Sequence, residues 1–131
     1  MFRILLKTFA VILVIIITCM NCKHTTETVN EPADVFEVHL QAYYDDTPAR
    51  IVLDGNIILD ERITTGTILA YASILHPEID QGPHRLQAFI NETATADTTI
   101  TVGDTLRVVV NYVPQRNEIM IWATKRPFPY R

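Results

Sequence analysis

The chain has 131 residues, with 11 Lys and Arg against 15 Asp and Glu, a formal net charge of −4 at pH 7. That length admits one domain with its own core, and an acidic balance with singly scattered bases speaks against nucleic acid, which is bound by a basic face. The only two cysteines, Cys19 and Cys22, stand near the start, so a domain folded after them must cohere through its core without disulfides.

The first element is a leader. Arg3 and Lys7 precede an uncharged, mostly aliphatic stretch from Thr8 to Thr18. A short basic region followed by about a dozen apolar residues has the form of a secretory signal peptide, and falls short of the roughly 20 apolar residues of a comfortable membrane span. No A-x-A cleavage pattern follows, and a cysteine stands where the apolar run stops. A Cys-x-x-Cys redox pair would need a thioredoxin-like βαβ context, and a zinc site would need about four ligands. Neither is in the sequence.

On the residues "IITCMNC" the leader resembles the lipobox of bacterial lipoproteins, in which the cysteine is acylated and becomes the mature N-terminus. The pattern departs from that family in having Thr18 where Gly, Ala or Ser is usual. The resemblance implies a signal peptide over residues 1–18, lipidation at Cys19 with Cys22 as the alternative, and retention on the extracytoplasmic side of a membrane. An uncleaved anchor helix with two incidental cysteines is the competing reading. Removing Arg3 and Lys7 with the leader leaves nine bases against 15 acids, a net charge of −6, which does nothing to attract an anionic membrane surface. Residues 19–34 then read as a polar tether without apolar periodicity.

From residue 35 to 131 the sequence is written in strands. Phe36, Val38, Leu40, Ala42 and Tyr44 alternate with Glu37, His39, Gln41 and Tyr43, which predicts a half-buried strand over 36–44. Asp45 to Pro48 is turn chemistry. Asp54-Gly55 between "ARIVL" and "IILDERI" predicts a tight hairpin, since glycine takes positive φ without steric cost. "ILAYASIL", residues 68–75, permits two helical turns, but its place between Gly66 and His76-Pro77 favours a strand. "HRLQAFIN", "DTTITV", "TLRVVVNYV" and "EIMIWAT" follow, divided by turns at Gly103-Asp104 and Pro114 to Asn117. Short strands with regular turn signals predict a single antiparallel β-sandwich or small barrel. The cadence "IVLDG", "GPHRLQAFI", "TTITVGDTLRVVVNY" resembles immunoglobulin-like and PEGA-like sandwiches of bacterial surface proteins over about 60 residues. Those motifs imply a fold and are nearly silent on function.

Chemistry is sparsely written. His24 lies in the tether, His39 on an outward strand face, His76 before a proline, and His84 at a strand start where an imidazole packs over the turn onto a carbonyl. They read as solvated or structural. Acids gather at turns, where side-chain bonding to the backbone is a sufficient cause, and no loop offers the six to eight oxygens that calcium takes. Ser73 is the only serine and has no base beside it in sequence, and Asn91-Glu92-Thr93, formally a glycosylation sequon, reads as a turn. The expectation is therefore a non-catalytic domain with no cofactor and no metal, docking onto an envelope protein or, alternatively, a glycan. Strand parity turns Tyr43 and Phe89 outward, and Trp122 is the third candidate for such a surface. Either "ILAYASIL" or the C-terminal "RPFPYR" could instead fold over these aromatics as a further layer of core.

Overall fold

The computed structural model describes residues 30–130, which hold no α-helix. The leader, Cys19 and Cys22 lie outside the described residues. Eight strands follow in order: β1 (Val35–Leu40), β2 (Thr47–Leu53), β3 (Asn56–Ile63), β4 (Ser73–Leu75), β5 (Gly82–Ile90), β6 (Ala94–Val102), β7 (Thr105–Val113) and β8 (Glu118–Thr124). They form two four-stranded sheets, ordered β4-β1-β7-β8 and β3-β2-β5-β6. The fold is all-β, with two sheets packed over one core.

Pairing is antiparallel except between β1 and β7, which run parallel from Val35↔Thr105 to Leu40↔Val110. The chain passes between the sheets after β1, β3, β4 and β6, so β1 and β7 meet without a direct connection that would dictate their direction.

Period-2 alternation supplies the core. Phe36, Val38 and Leu40 of β1 and Val108, Val110 and Tyr112 of β7 face Ile51 and Leu53 of β2 and Leu86, Ala88 and Ile90 of β5, all buried. Each large aliphatic side chain so enclosed contributes about 1.5–3 kcal/mol. Tyr44 joins this core and donates its hydroxyl to the Val110 carbonyl at 2.7 Å. Burial raises the pKa of its phenol well above the ordinary tyrosine value.

The hairpin predicted at Asp54-Gly55 is present. Leu53 pairs with Asn56 across a two-residue loop whose φ values are 49° and 80°. Two positive φ angles define a turn whose twist matches that of the flanking strands. Gly82 opens β5 at φ 126°, a region that side chains rarely adopt.

Two predicted strands are shorter in the structure. β1 stops at Leu40 because the side chain of Asn111 accepts from the Ala42 amide and the Thr65 hydroxyl donates to the Gln41 carbonyl, taking both groups out of the ladder. Tyr43 then adopts φ 70°, and the chain crosses to the other sheet. Of residues 68–75 only Ser73–Leu75 is strand; residues 67–69 form a turn, and Ala70 is left-handed at φ 54°. Upstream of β1 the chain is already tied to the fold, with Ala33 donating to Ile79 and Gln81 to Glu31.

Candidate interaction surfaces

Residues that alternate away from the core create two outer faces of opposite character. On the β4-β1-β7-β8 sheet, Glu37 and His39 stand beside Arg107 and Val109, and Val109 pairs with Trp122. Such residues would ordinarily be wet, yet His39 is 3% and Val109 0% exposed. Phe128 and Tyr130 of the C-terminal segment "RPFPYR" cover His39. Pro127 and Pro129 have no amide hydrogen to offer a ladder and hold the segment extended, so it lies on the sheet through its rings.

The contacts are aromatic and mutual. The Phe128 ring meets His39 edge-on at 4.8 Å and Trp122 at 5.6 Å. Tyr130 stacks on His39 at 5.6 Å and touches Tyr71 at 4.9 Å. A chain of hydrogen bonds runs beneath them. Gln41 donates to the Tyr130 hydroxyl at 2.8 Å, which lies 2.6 Å from His39 Nδ1. His39 Nε2 is 2.8 Å from Glu37, whose same oxygen accepts from Arg107 Nε at 2.8 Å. The neutral imidazole fits this chain without remainder: Tyr130 O–H donates to Nδ1, and Nε2–H donates to the carboxylate. Desolvation pushes the Glu37 carboxyl up, but the His39 hydrogen bond and the Arg107 charge outweigh it, and the group sits below its ordinary value. Tyr130 is raised, mainly by desolvation and further by the Glu37 charge.

The outer face of the β3-β2-β5-β6 sheet is bare. Charged pairs cross it between neighbouring strands: Arg50–Asp60 at 3.0 Å, and Arg85 to Asp97 through two bonds. Their members are roughly half exposed, a setting in which an ion pair contributes little. Phe89, 37% exposed, lines a shallow surface depression of about 340 Å³ with Pro48, Ala49, Arg50, Asp60 and Glu92.

At one end of the sandwich the 41–46 and 64–72 loops are bonded together. Thr65 donates its amide to the Tyr44 carbonyl and accepts the Tyr44 amide on its hydroxyl, while the Ala72 amide donates to Leu40. This knot presents three large apolar side chains to solvent: Tyr43 at 64%, Ile68 at 80% and Leu69 at 42% exposure.

At the other end of β2, Asp54 accepts from His84 Nδ1 at 2.5 Å and from the Arg85 amide at 2.9 Å. His84 Nε2 lies 2.7 Å from the Asp80 carbonyl. Both nitrogens of His84 therefore face acceptors, and only the doubly protonated ring fills both bonds. Desolvation raises Asp54, but the bonds from His84 and Arg85 prevail and lower it overall. Among the described residues no three His, Cys, Asp or Glu side chains are grouped to hold a metal ion.

The three aromatics singled out from sequence do not share a surface. Tyr43 belongs to the loop end, Phe89 to the bare face, and Trp122, 42% exposed, to the border of the covered one. The C-terminal segment does fold over an outer face, but over His39 and against Trp122, leaving Tyr43 and Phe89 uncovered. Sequence reasoning missed Ile68 and Leu69, because a strand assigned to 68–75 hides what a turn exposes. It also missed His39 as an anchor. Two aromatics interleaved with prolines after the last strand were the available signal. Compared with protein-family models, with curated proteins and with solved structures, the chain gives no match.

Proposed function

We propose that this chain is a lipid-anchored, extracytoplasmic interaction module of the cell envelope, without catalytic activity. The observation that carries the reading is the loop end. Tyr43, Ile68 and Leu69 stand in water on two loops joined by hydrogen bonds through Thr65, an exposure of large apolar side chains of the kind a protein partner covers. The partner is an envelope protein. The lipobox-like leader supplies the tether, and multiple acylation at Cys19, or at Cys22, gives the stable retention that one acyl chain does not.

An immunoglobulin-like or PEGA-like sandwich is the finer description of the fold, supported by the two-sheet architecture and by strands that begin and end at the turns quoted above. The non-catalytic reading is supported by the employment of His39 and His84, one holding the C-terminal segment and the other the β2–β3 hairpin. A glycan-binding role has one observation in its favour, the Phe89 depression rimmed by Arg50, Asp60 and Glu92.

The test places a photo-reactive amino acid at residue 68, and separately at residue 89, in the full chain in its native membrane. A discrete protein adduct from 68 and none from 89 is the expected result. Adducts from neither position, or from both alike, would overturn the assignment to the loop end. Cys19→Ser should release the protein from the membrane fraction. If only Cys22→Ser does so, Cys22 is the lipidated residue; if neither does, the lipid anchor is refuted.

A further inference from the structure

Among the described residues, no backbone–backbone hydrogen bond ties the chain after Thr124 to a strand. Side chains hold it instead. Arg107 donates to the Lys125 carbonyl at 2.8 Å, and the Arg126 amide donates back to the Thr124 hydroxyl at 3.1 Å. From β8, at one edge of its sheet, the segment then crosses β7 and reaches β1, where Tyr130 meets His39.

Tyr130 does not stop at the sheet. Its hydroxyl accepts from the Gln41 side chain at 2.8 Å, and Gln41 opens the 41–46 loop. Its ring lies 4.9 Å from that of Tyr71, which belongs to the 64–72 loop. These two partners are also joined to each other through the knot. The Gln41 carbonyl accepts the Thr65 hydroxyl at 2.8 Å, and the Gly66 amide donates to the Tyr71 carbonyl at 3.0 Å. The contacts close a ring, Gln41–Thr65–Gly66–Tyr71–Tyr130, in which Tyr130 is the member that comes from outside the loops. Loops closed by a few partly exposed hydrogen bonds open at a cost well below that of unfolding the whole domain. A contact from a further element raises that cost.

We propose that Tyr130 is a positioning residue for the loop end: docking of the C-terminal segment fixes the arrangement of the loops that carry Tyr43, Ile68 and Leu69. Gln41 stands two positions from Tyr43, and Tyr71 two from Leu69. A shift in either partner of Tyr130 therefore reaches an exposed apolar side chain through a single intervening residue. Lifting the segment breaks no strand pairing, but it opens the ring. The coupling is reciprocal, so whatever covers the loop end also holds the segment down. Its functional meaning rests on the reading of the loop end as a partner surface; the coupling itself does not.

Amide hydrogen exchange of the full chain in mild detergent tests the coupling. Tyr130→Phe keeps the ring but removes the oxygen shared by Gln41 and His39. It should speed exchange of the Thr65 and Gly66 amides, which donate within the knot, by about fivefold or more. The Asp54 amide, bonded to the Arg85 carbonyl at the opposite end of the sandwich, should keep its rate. A purely structural role would not single out the loop end in this way. Gln41→Leu breaks the same bond from its other side and should speed the same amides, with little further gain when the two changes are combined. Unchanged Thr65 and Gly66 rates in Tyr130→Phe, an Asp54 amide that speeds equally, or fully independent effects of the two substitutions would each overturn the proposal. Photo-cross-linking from residue 68 then reads the surface, and its yield should fall in Tyr130→Phe. Faster loop-end exchange with an undiminished adduct would overturn the positioning role. No adduct from the wild-type chain would refute the partner reading instead, and the exchange rates would still decide the coupling.

Discussion

The two outer faces of this sandwich start from the same strand grammar and end differently. Each has arginine–carboxylate pairs and outward aromatics. On the β3-β2-β5-β6 side these remain in water, with Arg85 and Asp97 about half exposed. On the β4-β1-β7-β8 side Arg107 and Glu37 are 14% and 19% exposed at their side chains, where Arg107 donates to the Lys125 carbonyl and Glu37 bonds the His39 ring that Phe128 and Tyr130 cover. The difference teaches that an outward position in a strand is a statement about one sheet and not about the molecule. Burial under a third layer turns a histidine that strand parity would leave wet into an anchor point.

The same contrast separates the two histidine–carboxylate pairs. His39 is satisfied as a neutral ring between Tyr130 and Glu37, while His84 needs both protons to bond Asp54 and the Asp80 carbonyl. One pair closes a layer. The other fastens a hairpin tip to the start of β5.

The largest effect that would break the comparison falls on the covered face. His39→Ala empties a buried site and leaves Tyr130 and Glu37 each short of a partner, and should cost about 2–4 kcal/mol in urea unfolding. A loss under 0.5 kcal/mol would mean that the segment does not bury this ring. Tyr130→Phe keeps the stack but removes the hydroxyl shared by His39 and Gln41, for an expected loss of about 1–2 kcal/mol. If it is neutral, water fills the place of that hydroxyl.

Acid should loosen the covered face only below about pH 4.3, where the Glu37 carboxylate of the unfolded chain takes up its proton. The Glu37 pKa is lowered in the folded state, so its contribution is fully present above the unfolded value, near pH 4.3, and is lost as pH falls through the folded value. Asp54 adds to the loss with the same sign, in a window set by its own unfolded value near 3.9. Glu37→Gln should flatten the acid limb of a stability–pH curve, and an unaltered limb would remove Glu37 from the account. The smallest effect belongs to the bare face, where Arg85→Ala should leave the urea-unfolding midpoint essentially unchanged despite its two bonds to Asp97.

How much of this was legible in the sequence follows the range of the forces involved. The Asp54-Gly55 hairpin, the inward row Leu86, Ala88 and Ile90, and the full extents of β7 and β8 were readable, because turn chemistry and alternation act within a few residues. The end of β1 was not, since Asn111 and Thr65, far along the chain, decide it. The 67–69 turn was hidden for a similar reason: its Ala and Leu content says nothing of the loop bonds that fix it. The parallel pairing of β1 with β7 left no local mark either. For the candidate surfaces, parity correctly set Phe89 outward, while Tyr43 became exposed through a left-handed turn and not through the alternation that nominated it. The covering of His39 joins residues 91 positions apart, a contact no local pattern encodes.

The central claim is that the C-terminal aromatics are core while the aromatics at the loop end and on the bare face are surface. The direct measurement compares two double variants by urea unfolding under one set of conditions. Phe128→Ala with Tyr130→Ala should lower stability by about 3–5 kcal/mol, the scale of emptying aromatic core sites. Tyr43→Ala with Phe89→Ala should change it by less than about 1 kcal/mol. Equal losses, or the larger loss in the second pair, would contradict the account.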